Sequence, residues 1–271
     1  MTGKSIKPSV AIDVGNSHIM AGLFLQDAKK DGLLPQPNRT LLLLTEQWDP
    51  VELALWLEPY RPADVDWFVG SVHEEASTDL RTWLDREQGS PAVQLLNFKD
   101  LPLMIEIPDP AAIGVDRLLG AVAANRIRPV DRPAIVIDLG SAISVDVISA
   151  TGSFRGGAIL PGIQMSGRAL HAFTDRLPQI SVGQGSPPSA IGRSTDEAIS
   201  SGIYWGTVGA IRALLTELQA GMSADPMVIV TGGNAVLVVE ALEVAVRHEP
   251  HLILAGIAIV IEKIRNSEKG D

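Results

Sequence analysis

With 271 residues, 46% apolar and only 20% charged, the chain can bury a sizeable core, which excludes intrinsic disorder. Aromatic residues make up 4%, so that core must come from Val, Ile, Leu and Ala, as in α/β proteins whose strands are covered on both faces. The net charge of −10 divides as −6 over residues 1–135 and −4 over 136–271, and no Lys/Arg run offers the cationic face that nucleic acid requires.

With no cysteine, disulfides, thiolate catalysis and Cys-ligated metals are excluded. The apolar run Leu252 to Ile261 is far short of the ~20 residues of a membrane span. Met1 to Val10 lacks an apolar signal segment. The expectation is a soluble, cytoplasmic protein with no membrane or nucleic-acid partner. At about 150 residues per domain, the length suggests two domains or one duplicated fold.

In chain order, Val10-Ala11-Ile12 predicts a strand that stops at Asp13-Val14-Gly15-Asn16-Ser17, and Ile19 to Leu25 a second strand after this turn. Arg39–Leu44 and Val65–Ser71 also read as strands, with helical patterns near Pro50–Glu58 and Glu74–Glu87. An Ala/Leu-rich helix runs from Leu118 to Ile127, and the Pro129 to Pro133 stretch is the best linker. This predicts an N-terminal half, 1–130, and a C-terminal half, 131–271.

The second half opens with a strand, Ala134 to Leu139, that stops at Asp138-Leu139-Gly140-Ser141, followed by strand residues Ser144 to Ser149. A Gly/Pro-rich stretch from Gly152 to Gly162 leads to a helix near Ile163–Phe173, and Ser181 to Arg193 reads as loop. Asp196 to Ala220 has the spacing of a long helix with Thr195 as N-cap. Met227 to Val230 is a strand running into Thr231-Gly232-Gly233; a helix, a short strand at Leu252–Leu254 and a terminal helix complete the prediction.

Ile12-Asp13-Val14-Gly15 and Ile137-Asp138-Leu139-Gly140 lie 125 residues apart, each a strand, an Asp-x-Gly turn and a second strand. Glycine at such a tip lets the backbone approach a ligand. Successive N–H groups beside Asn16, Ser17 and Ser141 suit anionic oxygens. Asp13 and Asp138 would repel phosphate directly, so they make sense as holders of a cation or its water shell. Ordinary Asp/Gly turns remain the alternative for either hairpin alone.

Gly114-Val115-Asp116-Arg117 opens a helix. Asp116 could simply complement the helix dipole, or act as an acid–base carboxylate beside a guanidinium that binds an anionic group; the residues alone leave both open. Thr2-Gly3-Lys4-Ser5 lacks the earlier glycine of a P-loop, and Pro250 interrupts the His248/His251 pair as a helical metal site. No G-x-S-x-G or H-E-x-x-H occurs.

On these residues the chain resembles the type III pantothenate kinases, the family that includes the Bvg accessory factors. Asp13-Val-Gly-Asn-Ser is similar to the family's D-x-G-N-T, Gly114-Val-Asp-Arg to G-x-D-R, and Asp138 through Asp146 to D-x-G-T-A-x-T-x-D. Gly156 through Gly162 resembles G-G-x-I-x-P-G, and Thr195 and Thr231-Gly-Gly233 follow in the family's order.

The resemblance implies a duplicated actin-like fold, two ribonuclease H-like halves with mixed sheets, with ATP between them. It implies phosphorylation of pantothenate, a homodimer, Mg²⁺ and a monovalent cation, K⁺ or NH₄⁺. By matching position, Asp13, Val14, Gly15, Asn16, Ser17, His18, Ile19, Met20 and Ser141 would hold ATP. Gly114, Val115, Asp116, Arg117 and Thr195 would bind pantothenate, Asp116 as general base, and Asp138 would hold the monovalent cation.

The chain departs from the family at Ser17, Ser141 and Ser144, where threonine is usual, and at Ile107, where an aromatic is common. Each serine keeps the hydroxyl; Ile107 alters substrate packing. Two further readings share the same residues: a different acceptor on the same fold, or a non-catalytic nucleotide-binding relative.

Overall fold

The computed structural model describes residues 7–25, 33–87, 89, 91–182 and 186–268. The Thr2 to Ser5 stretch lies outside them. The chain forms two compact units, Met1–Ile127 with His251–Asp271, and Arg128–Pro250.

The first unit carries strands β1 (Ser9–Val14), β2 (His18–Phe24), β3 (Arg39–Leu44), β4 (Asp66–Ser71) and β5 (Val93–Leu95) in the order β3-β2-β1-β4-β5. β1 pairs antiparallel with β2 and parallel with β4. Helices α1 (Pro50–Leu57), α2 (Glu74–Arg86) and α3 (Val115–Ile127) follow β3, β4 and β5. Alternating residues of β1 (Val10, Ile12, Val14) join Trp67, Leu80 and Leu84 in one buried cluster.

The second unit repeats this plan. Strands β6 (Ala134–Leu139), β7 (Ala142–Ile148), β8 (Phe154–Pro161), β9 (Met227–Thr231) and β10 (Val246–His248) lie in the order β10-β9-β6-β7-β8. Read from the other edge, the order matches the first sheet strand for strand. Helices α4 (Ile163–Ala172) and α5 (Thr195–Ala220) separate β8 from β9, and the short α6 (Ala235–Val238) follows β9. Ile199, Ile203, Val208, Ile211 and Leu215 form the stripe of α5 that joins Ile135, Ile137 and Val145 in the core.

The last helix, α7 (Leu252–Ser267), belongs to the first unit. This differs from the expected halves at 1–130 and 131–271, and the physical reason is local. Gly256 meets α3 so closely that a Cβ there would lie 2.2 Å from the Leu119 carbonyl oxygen, while Leu254 and Ile257 reach Gly22 and Gly70 of the sheet. The strand expected at Leu252–Leu254 is therefore the first turn of α7; every residue from Leu252 to Ile261 is buried, so no polar face marks the helical period.

Three strands escape the sequence reading, among them β5, only three residues long. β8 lies within the Gly/Pro-rich stretch from Gly152 to Gly162, whose glycines are needed because Gly157 must pass where a Cβ would stand 2.0 Å from the Val145 oxygen. β10 is only three residues long. Among the described residues no helix is long and apolar enough to cross a membrane.

Candidate active site

In the first unit Asp13 is the penultimate residue of β1, opposite Met20 of β2 and Gly70 of β4. The turn closes where the Gly15 N–H donates to the His18 carbonyl at 2.9 Å. A Cβ on Gly15 would stand 3.1 Å from that oxygen, tighter than most side chains tolerate. Asn16 and His18 are exposed, Ser17 and Met20 half-buried. Val14 and Ile19 point into the core, so only their main chain can face a ligand.

Beyond β4, the Val72 N–H donates to the Val14 carbonyl at 3.0 Å, and a Cβ on Gly114 would lie 3.3 Å from Val72 Cγ1. The Asp-x-Gly turn and the Gly114–Arg117 segment therefore share the carboxyl end of β1 and β4, the edge where α/β sheets bind ligands. Gly70 sets the approach, because a side chain there would strike Leu119 of α3 at 2.7 Å.

Asp116 occupies the first turn of α3 and folds back over the helix start. Its Oδ1 accepts the Arg117 backbone N–H at 2.8 Å and lies where a Gly114 Cβ would come within 2.5 Å. Burial pushes the carboxyl above its ordinary range, against the opposing pull of the Arg117 N–H and, secondarily, the Arg117 guanidinium. The surroundings therefore make Asp116 a stronger base than a surface aspartate. Val115 beside it is buried, and Arg117 is half-buried.

In the second unit Asp138 holds the equivalent position, opposite Ser144 of β7 and Thr231 of β9. Gly232, with φ +92°, runs flush against it; a Cβ there would meet Asp138 Oδ1 at 2.5 Å and the Leu139 nitrogen at 2.6 Å. Asn234 then grips the turn, donating its N–H to the Leu139 oxygen at 3.1 Å and its Nδ2 to the same oxygen at 3.2 Å. The sequence reading missed Asn234, although it directly follows Thr231-Gly232-Gly233.

Ser141 sits half-buried at the turn. Ser144 spends its hydroxyl on the buried Asp146, donating to Oδ2 at 2.7 Å. Thr195 is exposed as the first residue of α5. The N-cap expected at Thr195 is Ser194, whose hydroxyl accepts the Glu197 N–H at 3.2 Å. Serine followed three residues later by glutamate is the usual helix-start pattern, so the signal was one residue earlier.

No group of three or more His, Asp or Glu side chains that could hold a metal occurs among the described residues. The candidate donors are single carboxylates, Asp13 and Asp138, each at the end of a central strand beside turn carbonyls and hydroxyls. Such a set fits a loosely held monovalent cation, and a Mg²⁺ whose other ligands are phosphate oxygens and water.

Two like sheets, each with an antiparallel meander, two parallel strands and an Asp-x-Gly turn ending its central strand, define an α/β protein of the duplicated actin-like fold. The fold is similar to that of a Baf-family protein from Campylobacter jejuni, with a TM-score of 0.58 and 21% identity over 95% of this chain and 99% of that one. It is also similar to MreB 5 of Spiroplasma citri bound to AMPPNP, with a TM-score of 0.54 and 12% identity over 99% and 100% of the two chains.

The family model described as type III pantothenate kinase matches residues 9–217. A type III pantothenate kinase from Frankia alni is 34% identical over 268 residues, covering 94% of this chain and 98% of that one. The chain belongs to the type III pantothenate kinase family.

Proposed function

We propose that this protein transfers the γ-phosphoryl group of ATP to the primary hydroxyl of pantothenate, giving 4′-phosphopantothenate at the opening of coenzyme A synthesis. The observation that carries the reading is Asp116, a carboxylate held over Gly114 and made more basic by burial, on the same sheet edge as the Asp13–Met20 turn.

Asp116 accepts the hydroxyl proton as that oxygen attacks the γ-phosphorus. The new P–O bond forms while the bond to the β-phosphate oxygen breaks, and ADP leaves. Arg117 neutralises the acceptor's carboxylate or the transferring group, and Thr195 contacts pantothenate. Main-chain N–H groups from Asp13 to Met20, with Ser17 and Ser141, hold the phosphates and stabilise charge in the transition state. Asp138 would hold K⁺ or NH₄⁺, and Mg²⁺ bound with the nucleotide would supply further charge neutralisation.

The working form in this reading is a homodimer in the cytoplasm. The exposed Ile159, Phe173 and Ile191 of the second unit are candidate contacts for that association; light scattering should give twice the mass of the 28.8 kDa chain. The decisive measurement is ADP release from ATP with and without pantothenate, in K⁺, NH₄⁺ and Na⁺ buffers. Pantothenate-dependent release that needs K⁺ or NH₄⁺ supports the reading. Release that ignores pantothenate, or no release, overturns it.

A further inference from the structure

Each Asp-x-Gly turn is gripped by the residue that directly follows the third strand of its sheet. β3 ends at Leu44, and Thr45 donates twice, its N–H to the Ser17 oxygen at 3.0 Å and its Oγ1 to the Gly15 oxygen at 2.9 Å. Thr45 is only 4% exposed, although both neighbours of this strand end are accessible. β8 ends at Pro161, and the Gly162 N–H donates to the Ser141 oxygen at 3.2 Å. Here contact is so close that a Cβ would stand 2.2 Å from that oxygen and 2.7 Å from the Gly140 oxygen.

In a planar trans peptide the C=O and N–H point in opposite directions. Holding the Gly15 oxygen therefore fixes the direction of the Asn16 N–H, and holding the Ser17 oxygen fixes that of the His18 N–H. An unheld turn peptide can rotate and offer a carbonyl oxygen to phosphate, exchanging attraction for repulsion. We propose that Thr45 and Gly162 are positioning residues for nucleotide phosphate, each pinning turn carbonyls toward the third strand so that the opposite edge stays a donor edge. The inference rests on the reading of these turns as the ATP phosphate site. The two units reach the same end differently, one with an added hydroxyl and the other with no side chain at all.

The test compares wild type, Thr45→Val, Thr45→Ser and Gly162→Ala in calorimetric titrations with AMPPNP, without acceptor, with thermal melts to verify folding. Losing the hydroxyl should weaken AMPPNP roughly three- to tenfold and raise KM for ATP by a similar factor, while KM for pantothenate stays within about twofold. Thr45→Ser, which keeps the donor, should return AMPPNP affinity to within about twofold of wild type. Gly162→Ala should weaken AMPPNP at least as much as Thr45→Val; if it does not fold, the Thr45 series decides.

A folded Thr45→Val protein with wild-type AMPPNP affinity overturns the proposal. So does an equal loss in Thr45→Ser, an equal rise in both KM values, or a wild type that binds no nucleotide. A wild type that binds AMPPNP but leaves pantothenate untouched sinks the proposed activity instead, and the affinity ratios still decide the positioning role.

Discussion

Asp116 shows how a single carboxylate is tuned by its surroundings. Burial raises its pKa, and the Arg117 N–H at 2.8 Å and the guanidinium only partly offset this. A general base typically contributes about 10²–10⁴-fold, so the role proposed for Asp116 predicts that Asp116→Asn loses kcat on that scale while its circular dichroism is unchanged. The same shift has a thermodynamic side. A carboxyl whose folded pKa lies above its unfolded value supports folding while protonated, and that support is lost as pH rises through the folded pKa. The charged form is thus a burden at neutral pH. Asp116→Asn should melt above wild type at pH ~8, with the advantage shrinking as pH falls toward the ordinary carboxyl range near ~4. An advantage that grows toward acid would mean the carboxylate stabilises the fold.

At the scale of elements, close backbone approach decides what packs. α3 and α7 touch at Gly256, where an added methyl group would lie 2.2 Å from the Leu119 oxygen. Overpacking of this kind costs about 1–3 kcal/mol, so Gly256→Ala should lower the urea midpoint with little change in slope. An unchanged midpoint would show that the two helices can part without penalty. The same closeness explains what was legible in the sequence. β3 and β6 fall on the expected residues because their apolar runs stop at turn or polar residues. β8 was hidden because its glycines mask the strand pattern, though Gly157 is required by the neighbouring β7 and Gly156 adopts φ +92°. α7 was partly hidden because its first ten residues, Leu252 to Ile261, are apolar on every face. At the site, Asp13, Asp116 and Asp138 were visible as carboxylates at the ends of apolar runs or at a helix start. Thr45 and Asn234 were not, since their roles depend on pairings 30 and 95 residues away in the chain.

For the molecule as a whole, a net charge of −10 supplies no general attraction for a polyphosphate. In the proposed reading, binding therefore rests on locally aimed donors and bound cations. The duplicated sheets supply two such turns, and the repeat is of backbone plan more than of sequence. The units differ in how they are assembled from the chain, for Arg128–Pro250 is continuous whereas the other unit needs both 1–127 and 251–271. A chain ended after Pro250 should leave its first unit open to trypsin while the second resists, and a peptide of residues 251–268 added in trans should restore protection. Equal resistance of both units without the peptide would show that α7 is dispensable.

The same arrangement sets a schedule for synthesis. The strands and helices of the first unit must wait for α7, which is made only after the whole of Arg128–Pro250, while that intervening stretch can fold as it emerges. A frameshift within the codons of α7 should therefore unfold the first unit, although most of that unit is encoded more than a hundred codons upstream.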